Sequence, residues 1–149
     1  MSAVRTPSLA DLYEADETLW LEETARLVSA GRFDAIDAVN LAEYLTSMSI
    51  RDRRQVMSRL VVLLKHLLKW DVQPARRSGG WEATVIHQRF KLVDILTSGT
   101  LRRHAEEELP RAYGQARNVA GAETGLGADA FPADCPFDLG QVLSRPLAK

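Results

Sequence analysis

The stretch from Leu60 to Phe90 constrains the fold more than any other, because it holds the densest apolar run and two of the three tryptophans. Apolar side chains recur there at helical spacing over more than one face, which predicts a central helix over Ile50–Trp70 with Ser49 as its N-cap. Pro74 has no backbone N–H and disfavours helical geometry in the residue before it, so this helix must end by then. A second helix is expected over about Gly80–Thr97.

The remaining sequence also shows helical spacing and contains no alternating strand pattern. Three further helices are expected, over Leu9–Ala30 with Gly31 as its stop, from Asp34 or Asp37 to Met48, and from Leu101 onward with Thr100 as its cap. Pro110 should kink or split the last of these, because it removes a hydrogen bond and crowds the preceding turn. The sequence therefore predicts an all-α, single-domain helical bundle of about five main helices over residues 8–145. A flexible tail is expected at residues 1–7, and an irregular C-terminal tail should pack on the bundle.

Polar side chains interrupt two of the apolar helix faces. The core is predicted to contain Leu60, Leu64, Leu67, Trp81, Val85 and Leu92. Asp16 and Gln88 lie within apolar stripes, and a buried carboxylate or amide is costly unless its hydrogen bonds are satisfied. We therefore expect both to be buried or half-buried and connected, directly or through Arg77 or Arg89. His66, at the edge of the central helix, completes the candidate polar cluster of Asp16, His66, Arg77, Gln88 and Arg89.

No motif assigns a catalytic, metal-binding or cofactor-binding function to the chain. Cys135 is the single cysteine, no HExxH pattern occurs, and the three histidines are far apart in sequence, so neither metal ligands nor a cofactor are predicted. Phosphate-binding glycine loops and the G-x-S-x-G elbow are absent as well. An enzyme with a site around His66, Asp16, Arg77 and Gln88 stays open as an alternative without a motif.

The sequence also predicts where the protein resides. Its N-terminus carries early acidic residues and no continuous apolar segment, so no signal peptide is expected. The apolar run Val61–Leu68 is too short to span a bilayer and is interrupted by Lys65. A single cysteine excludes an intramolecular disulfide. These features predict a cytoplasmic protein with no membrane association.

Charge is distributed unevenly along the chain. Ser8–Ile50 has two basic and nine acidic residues, a net of −7, whereas Arg51–Lys91 has ten basic and three acidic residues, a net of +7. One interpretation is that the acidic helices neutralise the basic ones. The alternative is a nucleic-acid-binding face in the 51–91 region, although a total net charge of −1 disfavours it. The residues that would form this face are Lys65, Lys69, Arg76, Arg77 and Lys91.

Short motifs follow one another in a specific order along most of the chain. They are Leu12-Tyr13, Asp16 and Trp20; Leu41 and Glu43; His66-Leu67-Leu68-Lys69-Trp70, Gln73-Pro74, Arg77-Ser78 and Trp81; Thr84 and Gln88-Arg89; Tyr113, Ala116-Arg117 and Glu123-Thr124-Gly125-Leu126; and Phe131-Pro132 and Cys135-Pro136. This order resembles the bacterial family called Domain of Unknown Function 29, with departures at Tyr44, where the family tends to have an acid, and at Gly99, where it tends to have proline. The resemblance implies a compact all-helical protein and no assigned biochemical activity.

These observations favour a non-catalytic protein-interaction or assembly module with an unknown protein partner. On the helix predicted over Gly80–Thr97, a second apolar strip lies on a different side from the core-facing residues. This candidate interface consists of Ile86, Phe90 and Val93. Exposed apolar strips commonly mark interfaces, and a twofold homodimer would cover this one. The C-terminal tail, through Phe131 and Phe137, would cover it equally well, and nucleic-acid binding and enzymatic activity remain as further alternatives.

Overall fold

The computed structural model describes residues 5–149, which form six α-helices, three short 3-10 helices and no strand. The helices are α1 (Leu9–Ala15), α2 (Glu17–Ser29), α3 (Ala38–Val72), α4 (Gly79–Ile95), α5 (Gly99–Thr124) and α6 (Leu139–Ser144). The prediction of an all-α bundle is therefore confirmed. The chain divides into two compact units, Met1–Ile50 and Arg51–Lys149, and a single folding domain over residues 8–145 stays a prediction. Of the tail predicted at residues 1–7, the first four residues lie outside the described part of the chain.

The N-terminal unit is built around Trp20, whose side chain is fully buried. The Trp20 ring centroid lies 4.8 Å from that of Tyr13 on α1 and 5.6 Å from that of Tyr44 on α3. The indole N–H donates a hydrogen bond to the Asp37 carboxylate at 3.2 Å. Aromatic pairs add to the free energy gained from burial alone. One side chain thus joins α1, α2 and the start of α3.

The helix predicted over Leu9–Ala30 is interrupted at Asp16. This residue has φ −153° and ψ 83°, outside the helical region, and separates α1 from α2. Its carboxylate accepts a hydrogen bond from the Leu19 backbone N–H at 3.1 Å. The prediction that Asp16 is buried is wrong, because its exposed side chain caps α2, where a carboxylate satisfies free N–H groups. The predicted stop at Gly31 is confirmed by its φ of 69°.

A single helix, α3, stands where two helices were predicted on either side of Ser49. It extends for 35 residues, and the Asp37 carboxylate caps its start by accepting from the Asn40 N–H at 3.3 Å. Ser49 favours helix caps, but neither glycine nor proline occurs within Ala38–Val72. Nothing in this segment therefore breaks the backbone hydrogen bonds, and the predicted N-cap at Ser49 is wrong.

The C-terminal unit has a core formed by α3, α4, α5 and the segment that follows α5. Its fully buried residues include Val56, Leu60, Leu63, Leu64, Leu67, Val85, Leu92, Ala105, Ala112, Ala116, Ala120 and Val142. Every predicted core residue is buried except Trp81, which is half-buried. The Lys69 ammonium lies 4.7 Å from the Trp81 ring centroid. Trp81 therefore forms the edge of the core, where an aromatic face can meet a cation.

The start and the middle of α5 also differ from the sequence prediction. Ser98, rather than Thr100, caps the helix by accepting a hydrogen bond from the Leu101 N–H at 3.3 Å. Pro110 lies inside the continuous helix and does not split it. The proline is on the exposed side, where water can satisfy the carbonyl that loses its partner. The helix ends at Gly125, which has φ 71° and acts as a glycine C-cap.

Candidate functional site

The predicted polar cluster separates into individual contacts. Within the C-terminal unit, the hydrogen bonds of His66, Arg77, Gln88 and Arg89 all lead to residues outside the cluster. Gln88 is half-buried as predicted, but it accepts from Arg59 Nη1 at 3.1 Å and so joins α4 to α3. Asp16 belongs to the N-terminal unit, and its connection to Gln88 stays a prediction.

His66 is held by the backbone of its own helix. Its Nδ1 lies 2.8 Å from the Val62 carbonyl oxygen one turn earlier, so that nitrogen carries the hydrogen and donates it. Burial lowers the pKa of His66 below its ordinary value of 6.5, and the charges of Lys65 and Lys69 add to this, against the opposing effects of the Val62 carbonyl and Glu123. A neutral imidazole whose Nδ1–H donates to a backbone carbonyl in this way stabilises the edge of the helix.

Arg77 fastens the α3–α4 connection to the end of α3. Its Nε donates to the Trp70 carbonyl oxygen at 2.9 Å, and its guanidinium carbon lies 5.2 Å from the Trp70 ring centroid. The indole N–H of Trp70 in turn donates to the Ala148 carbonyl at 2.7 Å. Arg145, near the end of the chain, donates to both carboxylate oxygens of Asp71 at 2.8 Å. These contacts hold both the connection and the C-terminal residues against the same end of α3.

Arg89 and two residues of α5 hold the rest of the C-terminal segment through its backbone. Arg89 Nε donates to the Val142 carbonyl at 2.9 Å, and Arg117 Nε donates to the Phe131 carbonyl at 3.2 Å. The hydroxyl of Tyr113 donates to the Pro132 carbonyl at 2.5 Å. Since buried carbonyls must find donors, these long side chains satisfy a segment that has little secondary structure of its own. These side chains therefore act as a scaffold that holds the C-terminal segment in place.

Two of the three lysines of the basic region are paired within the molecule. Lys65 and Lys69 each donate to the Glu123 carboxylate on α5 at 3.0 Å. Burial tends to raise the pKa of Glu123, but the hydrogen bonds and charges of the two lysines outweigh it and leave the pKa lowered. The carboxylate that neutralises these two lysines is thus that of Glu123, which lies outside the acidic stretch Ser8–Ile50.

The outer face of α4, defined by Ile86, Phe90 and Val93, is exposed. These side chains are 60%, 74% and 54% exposed, and they line a groove of about 500 Å³ together with Arg89, Asp94 and Thr97. Phe131 and Phe137 of the tail are buried in the core. The alternative in which these two phenylalanines cover the strip is therefore wrong.

A second concavity lies at the N-terminal end of the same helix. It has a volume of about 570 Å³, and its lining includes Gly79 and Glu82 of α4 together with Trp70, Pro74 and Leu147. Sequence reasoning missed this cavity because its walls come from segments that are far apart along the chain. The tertiary contacts of Trp70 and of the last residues were not visible in any local pattern.

Comparison with models of protein families places this chain in a family. The model of the family described as Domain of unknown function DUF29 matches residues 12–147. The chain belongs to this family. The resemblance carried by its ordered motifs is thereby confirmed, and the DUF29 motif residues Trp70, Arg77, Arg89, Tyr113 and Arg117 are those that hold the connection and the C-terminal segment. No curated protein and no solved structure matches the chain significantly.

Two further features are absent from residues 5–149. No helix in this part of the chain is both long and apolar enough to cross a membrane. Within the same residues, no group of three or more histidine, cysteine, aspartate or glutamate side chains is placed to hold a metal ion.

Proposed function

We propose that this protein is a non-catalytic interaction module that binds another polypeptide through the outer face of α4. The observation that carries the proposal is the exposure of Ile86, Phe90 and Val93 on one side of the helix, away from the side that buries Val85 and Leu92. Side chains spaced four and three residues apart are neighbours on a helix surface, so these three form one continuous patch. Patches of large exposed apolar side chains usually mark binding surfaces.

The contacts of the polar candidates weigh against the enzymatic alternative. His66 donates to a backbone carbonyl of its own helix, and Arg77 and Arg89 donate to carbonyls of Trp70 and Val142. A catalytic base or nucleophile needs a polar partner that activates or orients it toward a substrate. These hydrogen bonds hold the three side chains in place, and none of the bonds joins two polar side chains into a catalytic pair.

The same reasoning weighs against nucleic-acid binding. Lys65 and Lys69 have only 17% and 12% of their side chains exposed and share the Glu123 carboxylate. Binding to phosphates depends on exposed cations that release counterions. Lysines that are already paired and largely covered contribute little to such a surface.

The outer face of α4 has the composition of a protein-binding site. Phe90 lies at the centre of the strip, and aromatic residues at the centre of an interface commonly supply most of its binding free energy. Transferring one such side chain from water into an apolar environment contributes roughly 1.5–3 kcal/mol. Arg89 and Asp94 border the groove and would form the polar rim that surrounds a buried centre.

A photo-crosslinking experiment tests this function. Phe90 is replaced by benzoylphenylalanine, and Val119, a partly exposed apolar residue on α5, is replaced in the matched control. After irradiation of producing cells, position 90 should give discrete polypeptide adducts several-fold more abundant than those at position 119. Adding Ile86→Asp should abolish them. Adducts of equal abundance at both positions, or none, would contradict a binding role for α4.

A further inference from the structure

We propose that the polypeptide that covers the outer face of α4 is a second copy of this chain, in a twofold dimer with antiparallel α4 helices. This inference rests on the proposed function of α4 as a binding surface. A twofold interface uses the same patch on both subunits, so that patch must carry both a projection and a hollow that accepts it. The exposed side of α4 carries both.

Phe90 is the projection, and the cavity beside Gly79 is the hollow. Phe90 is the most exposed residue of the strip, at 74%. Gly79 has no heavy atom within 4 Å of the position that a Cβ would occupy. The cavity of about 570 Å³ next to Gly79 is lined by Trp70, Pro74 and Leu147, which offer apolar contacts to an aromatic ring. The hollow is also lined by Arg77, Ser78, Glu82 and Lys149, so it offers an aromatic ring apolar contacts together with cations.

The helical period places both features on one side of α4. Gly79, Ala83, Ile86 and Phe90 recur at spacings of four, three and four residues, which is the spacing of a single helix face. At about 1.5 Å of rise per residue, Phe90 and Gly79 are separated by roughly 16 Å along the axis. Each copy can therefore insert Phe90 beside Gly79 of the other copy.

One antiparallel register gives each of these four residues a partner of complementary size on the second copy. When Phe90 lies opposite Gly79 of the second copy, Ile86 lies opposite Ala83 of the second copy, and the twofold axis repeats both pairs. Each layer then combines a large side chain with a small one, which is the complementarity that close helix packing requires. The sequence of α4 thus fits its own antiparallel image.

Charge supports the same register. Glu82 and Arg89 are seven residues apart and lie on one flank of the strip, and in an antiparallel twofold pair equivalent flanks of the two helices meet. In the register described above, Glu82 lies within about 3 Å along the axis of Arg89 of the second copy, on the flank where the two helices meet, and the twofold axis repeats this pair. A shift of seven residues would instead bring the two copies of Arg89 together. Arg89 donates to Val142 through Nε and keeps Nη1 for an ion pair across the interface.

Sedimentation of the purified chain over a range of concentrations tests the dimer. The unmodified protein should show a concentration-dependent change from monomer to dimer. Phe90→Asp should remain monomeric with its helicity retained by circular dichroism, whereas the control Val119→Asp should still dimerise. A chain that is monomeric at every concentration, or a dimer that survives Phe90→Asp, overturns the inference.

Disulfide crosslinking tests the register and keeps Phe90 in place, so it decides the matter even if Phe90→Asp unfolds. The background is Cys135→Ser, which removes the single cysteine. Chains with Ala83→Cys mixed with chains carrying Ile86→Cys should form mixed disulfide dimers under mild oxidation. The control mixture of Ala83→Cys with Val93→Cys should form several-fold fewer. A preference for the control pair overturns the proposed register.

The two proposals fail in distinguishable ways. If the purified chain stays monomeric but the photo-crosslinker at Phe90 captures a different polypeptide, the second copy is excluded and the binding function stands. If the photo-crosslinker gives no specific polypeptide adduct and the chain stays monomeric, both proposals are overturned.

Discussion

Gly121 is a position on α5 where no larger residue fits. A Cβ there would lie 2.6 Å from the Ala128 backbone nitrogen and 2.7 Å from the Gly127 carbonyl carbon. Because backbone atoms cannot turn aside as a side-chain end can, we expect Gly121→Ala to lower the free energy of unfolding by about 1–3 kcal/mol. Gly114→Ala, on the same helix but with no atom within 4 Å, should raise it by up to about 1 kcal/mol, since alanine favours helix more than glycine.

Urea denaturation followed by circular dichroism measures both changes. The opposite signs of the two substitutions separate the close approach of the backbone from the helix propensity of alanine. Equal effects of the two substitutions would show that the segment after α5 does not pack against Gly121.

His66 should make the stability of the protein depend on pH. Because burial lowers its pKa in the folded state below the ordinary 6.5, the unfolded chain binds the proton first as the pH falls. The free energy of unfolding should therefore decrease as the pH falls through about 6.5. His66→Gln should reduce this decrease relative to the unmodified chain. An unchanged pH profile in His66→Gln would mean that His66 accepts a proton equally well in both states.

At the scale of helices, the apolar spacing predicted the number of main elements better than their ends. Where the predicted and the observed helix ends differ, the capping residues account for the difference. Asp16 was assigned to an apolar stripe from its spacing alone, but a carboxylate is more stable at the N-terminus of α2 than inside a helix face. Ser49 was assigned as a cap, but a serine stops a helix only when its neighbours favour stopping, and here none is glycine or proline. The stop at Gly31 was predicted correctly because a backbone with positive φ strongly favours glycine over other residues.

The contrast between local sequence patterns and tertiary contacts also explains which parts of the candidate sites could be predicted. The strip of Ile86, Phe90 and Val93 follows from helical spacing, which is a local property of the sequence. Its exposure depends on where Phe131 and Phe137 pack, and only the tertiary structure shows that. The predicted polar cluster did not form as one group, because the partners of Arg77 and Arg89 are backbone carbonyls. Every residue carries a carbonyl, so no sequence pattern identifies which one an arginine will bind.

At the scale of the whole molecule, the two compact units differ in how much they bury. The C-terminal unit shares a core among three helices and the tail, whereas the buried residues of α1 and α2 are Trp20 and Thr24 alone. If this one aromatic side chain is lost, α1 and α2 have no other large buried side chain to hold the N-terminal unit together. Local stability within a protein follows the density of such apolar contacts.

We therefore expect Trp20→Ala to unfold the N-terminal unit and leave the C-terminal unit folded. The substitution removes the ring contacts with Tyr13 and Tyr44 and the hydrogen bond to Asp37, and losing a buried tryptophan typically costs about 3–5 kcal/mol. Hydrogen exchange followed by mass spectrometry should show faster exchange in α1 and α2 and unchanged exchange in α5. The control Leu19→Ala, at a neighbouring exposed position on α2, should change neither. Faster exchange in α5 to the same extent would show that the two units unfold together as the single domain expected from the sequence.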